Sequence, residues 1–500
     1  MGQHVAKERF SEAEFARFGE RLKDSLTALD NVLARPGFGA GPATLGAELE
    51  LFLIDGNARP LRRNKDVLEA VDDDRVVLEL GSFNLEVNLT PLPLAGRPFT
   101  ALEAEIRDTM TRVDEAAHAY GGRVVPIGIL PTLTEFDFGP DSMSDEKRYK
   151  ALSSGIRRVR EEPFRVRIAG VERLDLEVED VLLESANTSW QVHLRTPPEA
   201  FAAAYNAAQL AIGPVLAVSG NSPAFLGREL WEETRIALFE ASADDRDPER
   251  LWRVGGRVCF GSGWVREGAA ELFALSVREY EPVMPVISDE DPLEAVRAGR
   301  VPELDELRLH QGTVWQWNRP VYDPADGGHL RVELRALPAG PTAPDMAANA
   351  AFLVGLVRAT AADPSWTEEF PFADAYRNFY RAARGGLDAE LAWPGRDGYV
   401  PAYELALDLL PVARDGLVSS GVDPEEAGRL LDVVAERVRL RRTGAGWQRR
   451  ALAALGAEPG VRAAMLEHYR ALSFTHAPVH TWPDPLEDLG VPAASPAAGR

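Results

Sequence analysis

At 500 residues the chain is long enough for two to four domains or for one large α/β enzyme body, and an apolar fraction of 45% with ten tryptophans provides a packed core rather than disorder. Its 55 basic against 78 acidic side chains leave a net charge of −23, which argues against nucleic acid and an anionic membrane as partners. Cys259 is the single cysteine, so no intrachain disulfide forms and a reducing cytoplasm is the expected compartment.

The N-terminal stretch Met1 to Lys7 lacks the apolar core of a signal peptide, and Ala6 stands where a myristoylation motif needs Ser or Thr. Phe10 to Leu33 predicts an amphipathic helix opened by Ser11 and ended by the Pro/Gly cluster Pro36 to Pro42. A strand follows from Thr44 to Ile54, and Val76 to Leu89 forms a second extended stretch. Thr100 to Tyr120 predicts a helix, Arg123 to Leu130 a strand, Asp145 to Val159 a helix and Thr188 to Arg195 a strand. Helices are expected at Pro198 to Ala211 and Arg228 to Ala241. The longest apolar run, Leu210 to Val218, contains Gly213 and Pro214 and falls short of a membrane span.

A charged strand spans Arg331 to Arg335. Beyond it the chain reads as helical from Ala343 to Leu472, and the Pro-, Ala- and Gly-rich tail predicts disorder. Strands interspersed with helices, then helices alone, give an α+β fold. The expected divisions are an N-terminal helix and loop (1–42), a catalytic core (43–340), a helical C-terminal section of the same body (341–487) and a disordered tail (488–500).

No Gly-x-x-x-x-Gly-Lys-[Ser/Thr] loop, His-Glu-x-x-His, Cys-x-x-Cys or Gly-x-Ser-x-Gly element occurs. A bound nucleotide therefore depends on acids, arginines and metal. The strands offer such groups. Glu48 and Glu50 interrupt an apolar strand and, two apart, share a face, as do Arg331, Glu333 and Arg335. Buried carboxylates are costly unless paired or coordinated, so these charges point to a phosphoryl-transfer site. Glu79 and Glu86 lie seven apart, on opposite faces of a straight strand, unless Gly81 supplies a bulge; Glu79 fits an exposed strand carboxylate equally well. His193 shares a face with Gln191 and Arg195, and Arg319 ends an aromatic-rich strand where it suits a phosphate or carboxylate. A solvated edge strand is the alternative for Arg331 to Arg335.

In chain order, Gly46-Ala47-Glu48-Leu49-Glu50, Phe83-Asn84-Leu85-Glu86-Val87-Asn88-Leu89-Thr90-Pro91, Gln191-Val192-His193, Ser219-Gly220-Asn221-Ser222-Pro223, Gly312-Thr313-Val314-Trp315 and Leu330-Arg331-Val332-Glu333-Leu334-Arg335 resemble the glutamate–cysteine ligase type 2 family, carboxylate–amine ligases with a glutamine-synthetase-like fold. Arg148-Tyr149 resembles the family's Arg-Tyr pair. The resemblance implies a curved antiparallel sheet around the active site, backed by helices. It implies Mg²⁺ or Mn²⁺ held by Glu48, Glu50, Glu79, Glu86, His193 and Glu333, with His193 and Arg335 contacting ATP. Arg335, with Arg319, faces the transferring phosphate, and Asn221 and Ser222 fall in a substrate-side loop. The implied reaction joins glutamate to cysteine through a γ-glutamyl phosphate. Asn187-Thr188-Ser189-Trp190 departs from the Cys-Gly type before the histidine, which leaves the acceptor open between cysteine and another amino acid or amine. A non-catalytic ATP-binding regulator is the remaining alternative. The number of subunits is left open by the sequence.

Overall fold

The computed structural model describes residues 5, 7–160, 162–246, 255–456 and 460–485; the tail predicted to be disordered lies outside the described residues. Seven antiparallel strands make one sheet that curls into a half-barrel. They are β1 (Thr44–Asp55), β2 (Val76–Leu78), β3 (Asn84–Pro93), β4 (Gly122–Val125), β5 (Ser189–Arg195), β6 (Asn318–Asp323) and β7 (His329–Pro338). The order is β6-β7-β5-β1-β3-β2, with β4 paired to the far end of β1.

Period-two alternation explains why the sheet has two chemically different faces. Leu49 and Leu51 of β1, Leu85 and Val87 of β3, Val192 and Leu194 of β5, and Val332 and Leu334 of β7 all enter the main core. Three helices cover this side: α1 (Pro98–His118), α2 (Phe201–Ser219) and α3 (Ala343–Ala361). Trp190 closes the contact by donating its indole N–H to the Met346 carbonyl at 3.0 Å. The opposite face of the same strands carries the charged residues. Farther along the chain, α4 (Ala402–Ser419) and α5 (Pro424–Arg439) pack against α3.

The helix predicted from Phe10 is observed over Glu12–Leu33, opened by a capping box between Ser11 and Glu14. Three expectations need correction. The stretch Val76 to Leu89 is not one strand: β2 and β3 form a hairpin in which Val77 faces Glu86, and the chain reverses through Gly81. The helix expected to stop at Ala211 continues to Ser219 through Pro214, because its whole circumference is buried. By length and composition it is apolar enough to cross a membrane, yet 89% of that window is inside the protein; it is a core helix. The helix expected from Arg228 begins only at Thr234, because Arg228–Glu229 pairs with Ala224–Phe225 as a short hairpin.

Candidate active site

Strand register gathers the charged side chains. Glu50 of β1 lies opposite Glu86 of β3, Glu48 opposite Gln191 of β5, and His193 opposite Glu333 of β7. Directly opposed residues share a face, so acids separated by 285 positions (Glu48 to Glu333) meet on the polar side of one sheet. One ligand atom each from Glu48, His193 and Glu333 falls within 4.8 Å of the others. His193 Nε2 is 3.2 Å from Glu48 Oε1, an ion-pair contact whose geometry falls short of a hydrogen bond. A buried imidazole nitrogen that makes no hydrogen bond and stands beside two carboxylates fits a divalent cation.

Glu333 is fully buried and is held by two guanidiniums. Arg319 forms a fork with it, Nη2 reaching Oε1 at 3.0 Å, and Arg335 Nη1 reaches the same oxygen at 2.7 Å. Burial alone raises the Glu333 carboxyl, but Arg319, Arg335 and then His193 outweigh it and hold the group far below the usual carboxylate range. Glu48 behaves similarly: burial pushes upward, and His193 brings it below its ordinary value. Gln191 links the subsites by accepting from Arg335 and donating to Glu50 at 2.8 Å.

Glu50, Glu79 and Glu86 occupy the other half of the face. Their environment is the reverse of Glu333's. Burial, with the Glu50 and Glu184 carboxylates nearby, pushes Glu79 up to about 8. Glu86 is raised well above 4.5 by burial and the surrounding carboxylates, and burial likewise raises Glu50 despite Arg335. The hairpin turn, not a bulge, brings Glu79 towards Glu86. The five acids and one histidine predicted for metal thus share one polar surface, in two clusters.

Two groups without an apparent sequence motif, the half-buried Glu184 and the buried Arg235, complete the surroundings. Glu184, on a short helical turn (Val181–Ala186) leading into β5, is pushed up to about 8 by burial and then by Glu50. Arg235, two residues into its helix, is held by Glu233 at 3.1 Å and by the Ala336 carbonyl. With Arg335, Phe239 and Trp317 it lines a cavity beside Glu50. Asn221, expected in a substrate-side loop, is fully buried: it donates to Ala339 O at 2.7 Å and to Tyr469 at 2.8 Å, and its backbone N–H donates to Glu233 at 2.8 Å. It braces the Glu233–Arg235 pair from behind. Ser222 is buried as well, its hydroxyl accepting from the Arg235 backbone N–H at 3.3 Å.

The sequence profile of glutamate–cysteine ligase family 2 matches residues 44–468, from β1 to the last long helix. The chain belongs to this family. It is an ATP-dependent ligase, and its reaction type is the joining of a carboxylate to an amine. Among solved structures, it is similar to the glutamate–cysteine ligase from Francisella tularensis in complex with AMP. That likeness has 11% identity and a TM-score of 0.56, covering 89% of this chain and 90% of the other. A bifunctional glutathione synthetase from Pasteurella multocida gives 12% identity and a TM-score of 0.49, over 86% of this chain and 53% of the other. No curated protein matches the sequence. At such identities the first likeness concerns the fold, and family membership rests on the profile. Within the family frame, Glu184 and Arg235 stand out because neither belongs to the six segments that carry the resemblance.

Proposed function

We propose that this ligase joins the γ-carboxylate of glutamate to the amine of cysteine, with ATP activating the carboxylate. The observation that carries the reading is the Glu48–His193–Glu333 cluster, three ligand atoms within 4.8 Å of one another, set beside Arg335 on one sheet face. A carboxylate oxygen attacks the γ-phosphorus and ADP leaves, giving an acyl phosphate. The amine nitrogen then forms a bond to the acyl carbon, loses its surplus protons, and inorganic phosphate departs with the C–O bond electrons.

Glu48, His193 and Glu333 would hold one Mg²⁺ or Mn²⁺, with Glu50, Glu79 and Glu86 available to a second; the bound cation neutralises the polyphosphate and polarises the phosphoryl group. Arg335 supplies fixed positive charge at the phosphoryl group, where preorganised donors act most strongly. Arg319 keeps Glu333 ionised and in place. Arg235 presents a guanidinium in the adjoining cavity, suited to a substrate carboxylate. The lone Cys259 fits a reducing, cytoplasmic setting.

The test is ADP release with Mg²⁺, ATP and glutamate, with and without cysteine, and mass detection of the product. Cysteine-dependent ADP with a γ-glutamylcysteine mass is expected. ADP without that product moves the assignment to another amine, and no ADP with any acceptor removes the reading.

The raised carboxyls make a pH prediction. Glu79 and Glu184 titrate at about 8 in the fold against 4.5 ordinarily, so between these values the native state binds more protons than the unfolded chain. Stability of the cation-free protein is therefore expected to fall as pH rises from 4.5 towards 8. Cation affinity should climb over the upper part of that window, by up to about tenfold per pH unit for each proton released, and level off above 8. Calorimetric titration with Mn²⁺ in buffers of different ionisation heats measures the protons directly; pH-independent affinity from 6 to 8 would contradict it.

A further inference from the structure

Most of the Arg235 guanidinium is committed before any substrate arrives. Among the described residues, Nε donates to Glu233 Oε1 at 3.1 Å and Nη2 donates to the Ala336 carbonyl. Nη1 is the nitrogen left for the cavity that Arg235 lines with Arg335, and its direction is set by where Glu233 stands. Glu233 is fixed in turn through its other oxygen, Oε2, which accepts the Asn221 backbone N–H at 2.8 Å. Arg235, Glu233 and Asn221 are at most 2% exposed. Each link is therefore made in a dry interior, where solvent cannot stand in for a displaced partner.

Asn221 itself is gripped from the C-terminal end of the chain. Tyr469, in the helix Val461–Ser473, is fully buried. Its hydroxyl accepts from Asn221 Nδ2 at 2.8 Å and donates to the Pro126 carbonyl at 3.0 Å. Gln448, in the helix Gly444–Leu455, donates Nε2 to Asn221 Oδ1 at 2.9 Å and to the Asn221 carbonyl at 3.0 Å. A phenylalanine at 469 would fill the same volume but leave a buried amide donor and a buried carbonyl unanswered. Asn221 has no room to turn towards other partners. Gly340 takes a φ of +78°, and a Cβ there would meet the Pro126 carbonyl and lie 2.9 Å from the Tyr469 hydroxyl; a Cβ at Gly444 would meet Asn221 Oδ1. Neither Tyr469 nor Gln448 belongs to the segments that carry the family resemblance.

We propose that Tyr469, with Gln448 beside it, is a positioning residue for Arg235, acting through Asn221 and Glu233 on the direction in which the guanidinium meets the cavity. The helical C-terminal section thereby aims a charge in the active site without touching substrate. The consequence for turnover rests on the ligase reading above, in which Arg235 receives a substrate carboxylate.

The first measurement needs no substrate. In protein labelled with ¹⁵N at arginine, the Arg235 Nε–H resonance is assigned by its loss in Arg235→Lys, and Tyr469→Phe is expected to shift or broaden it. An unmoved resonance overturns the proposal whatever the substrates are. The second measurement takes kcat and KM for glutamate, cysteine and ATP in the wild type, Tyr469→Phe, Arg235→Lys and the double variant. Arg235→Lys keeps a charge next to Glu233 and lacks the fork. Tyr469→Phe is expected to raise KM for one amino-acid substrate about tenfold, with kcat and the ATP KM within about twofold. In the Arg235→Lys background it is expected to change that KM by less than about twofold, because the group it aims is gone. Equal effects in both backgrounds mark a general loosening of the fold and overturn the proposal. Unmoved KM values in Arg235→Lys remove the carboxylate role from Arg235, and absent turnover with any acceptor removes the ligase reading; in both cases the resonance alone decides the positioning. Should Tyr469→Phe fail to fold, Gln448→Met, which removes the second grip on Asn221, takes its place. The same shift is then expected, and an unmoved resonance overturns the proposal.

Discussion

Glu48→Gln is expected to lose about a thousandfold or more in kcat/KM for ADP formation while melting within about 2 °C of the wild type. Glu333→Gln is expected to lose both turnover and stability. The side chains differ in what else depends on them. Glu48 retains 20% side-chain exposure, and its close charged partner is His193 at 3.2 Å. A carboxamide of the same shape leaves no buried cation without its counter-charge, so the damage is confined to charge in the site. Glu333 has no exposure and stands between Arg319 and Arg335, which are 19% and 12% exposed. Neutralising it strands two largely buried guanidiniums, and breaking a buried pair in this way costs about 3–5 kcal/mol. From the sequence alone, both substitutions should leave the fold intact; the double clamp on Glu333 changes that expectation for one of them. Thermal melting together with ADP release checks the contrast. Near-normal turnover in Glu48→Gln would remove the site assignment, and a wild-type melting temperature in Glu333→Gln would show that the arginines find other partners.

The charged strand faces were legible because spacing of two on an apolar strand is local information. Glu48 with Glu50, and Glu333 with Arg335, could be placed on a common side without knowing any neighbour. Register is not local. That Glu50 faces Glu86, and His193 faces Glu333, depends on strand pairing across 36 and 140 positions of chain, which motif order from family resemblance anticipated but periodicity could not. The hairpin at Gly81 was missed because Val76 to Leu89 is continuously β-compatible. Its reversal is fixed by close tertiary packing, with the Ser82 backbone N–H donating to Ser142 at 2.7 Å. Glu184 gave no signal because it sits in an apolar turn, where one acid is indistinguishable from a solvated one. Arg235 was hidden by reading its helix as starting at Arg228. Its buried partner Glu233, two residues before it, is the feature that a closer reading of an acid next to an apolar helix could have raised.

The largest effect expected away from the site is at Asp345, and it bears on how the helical C-terminal section supports the sheet. Asp345 is fully buried near the start of α3. It accepts from Arg437 Nη2 of α5 at 2.7 Å, from the Thr342 hydroxyl at 2.6 Å and from the Val479 backbone N–H at 2.9 Å. Arg437, 1% exposed, also donates to the Val218 carbonyl near the end of α2, at 3.2 Å. One carboxylate thus ties together the two helices behind the sheet and the segment near residue 479. Asp345→Ala leaves the Arg437 charge and two further donors unanswered in a dry interior, and a loss of about 3–5 kcal/mol is expected. Because α3 begins five residues after β7 ends at Pro338, loosening it also reaches the strand that carries Glu333 and Arg335, so activity should fall with stability. The double replacement Asp345→Leu with Arg437→Met removes both charges at once and is expected to recover much of the loss, as exchange of a buried ion pair for apolar groups often does. Urea unfolding of the two single variants and the double variant measures the coupling. If the double variant is as unstable as the sum of the singles, the pair contributes through its other hydrogen bonds, to Thr342, Val479 and Val218, rather than through mutual charge.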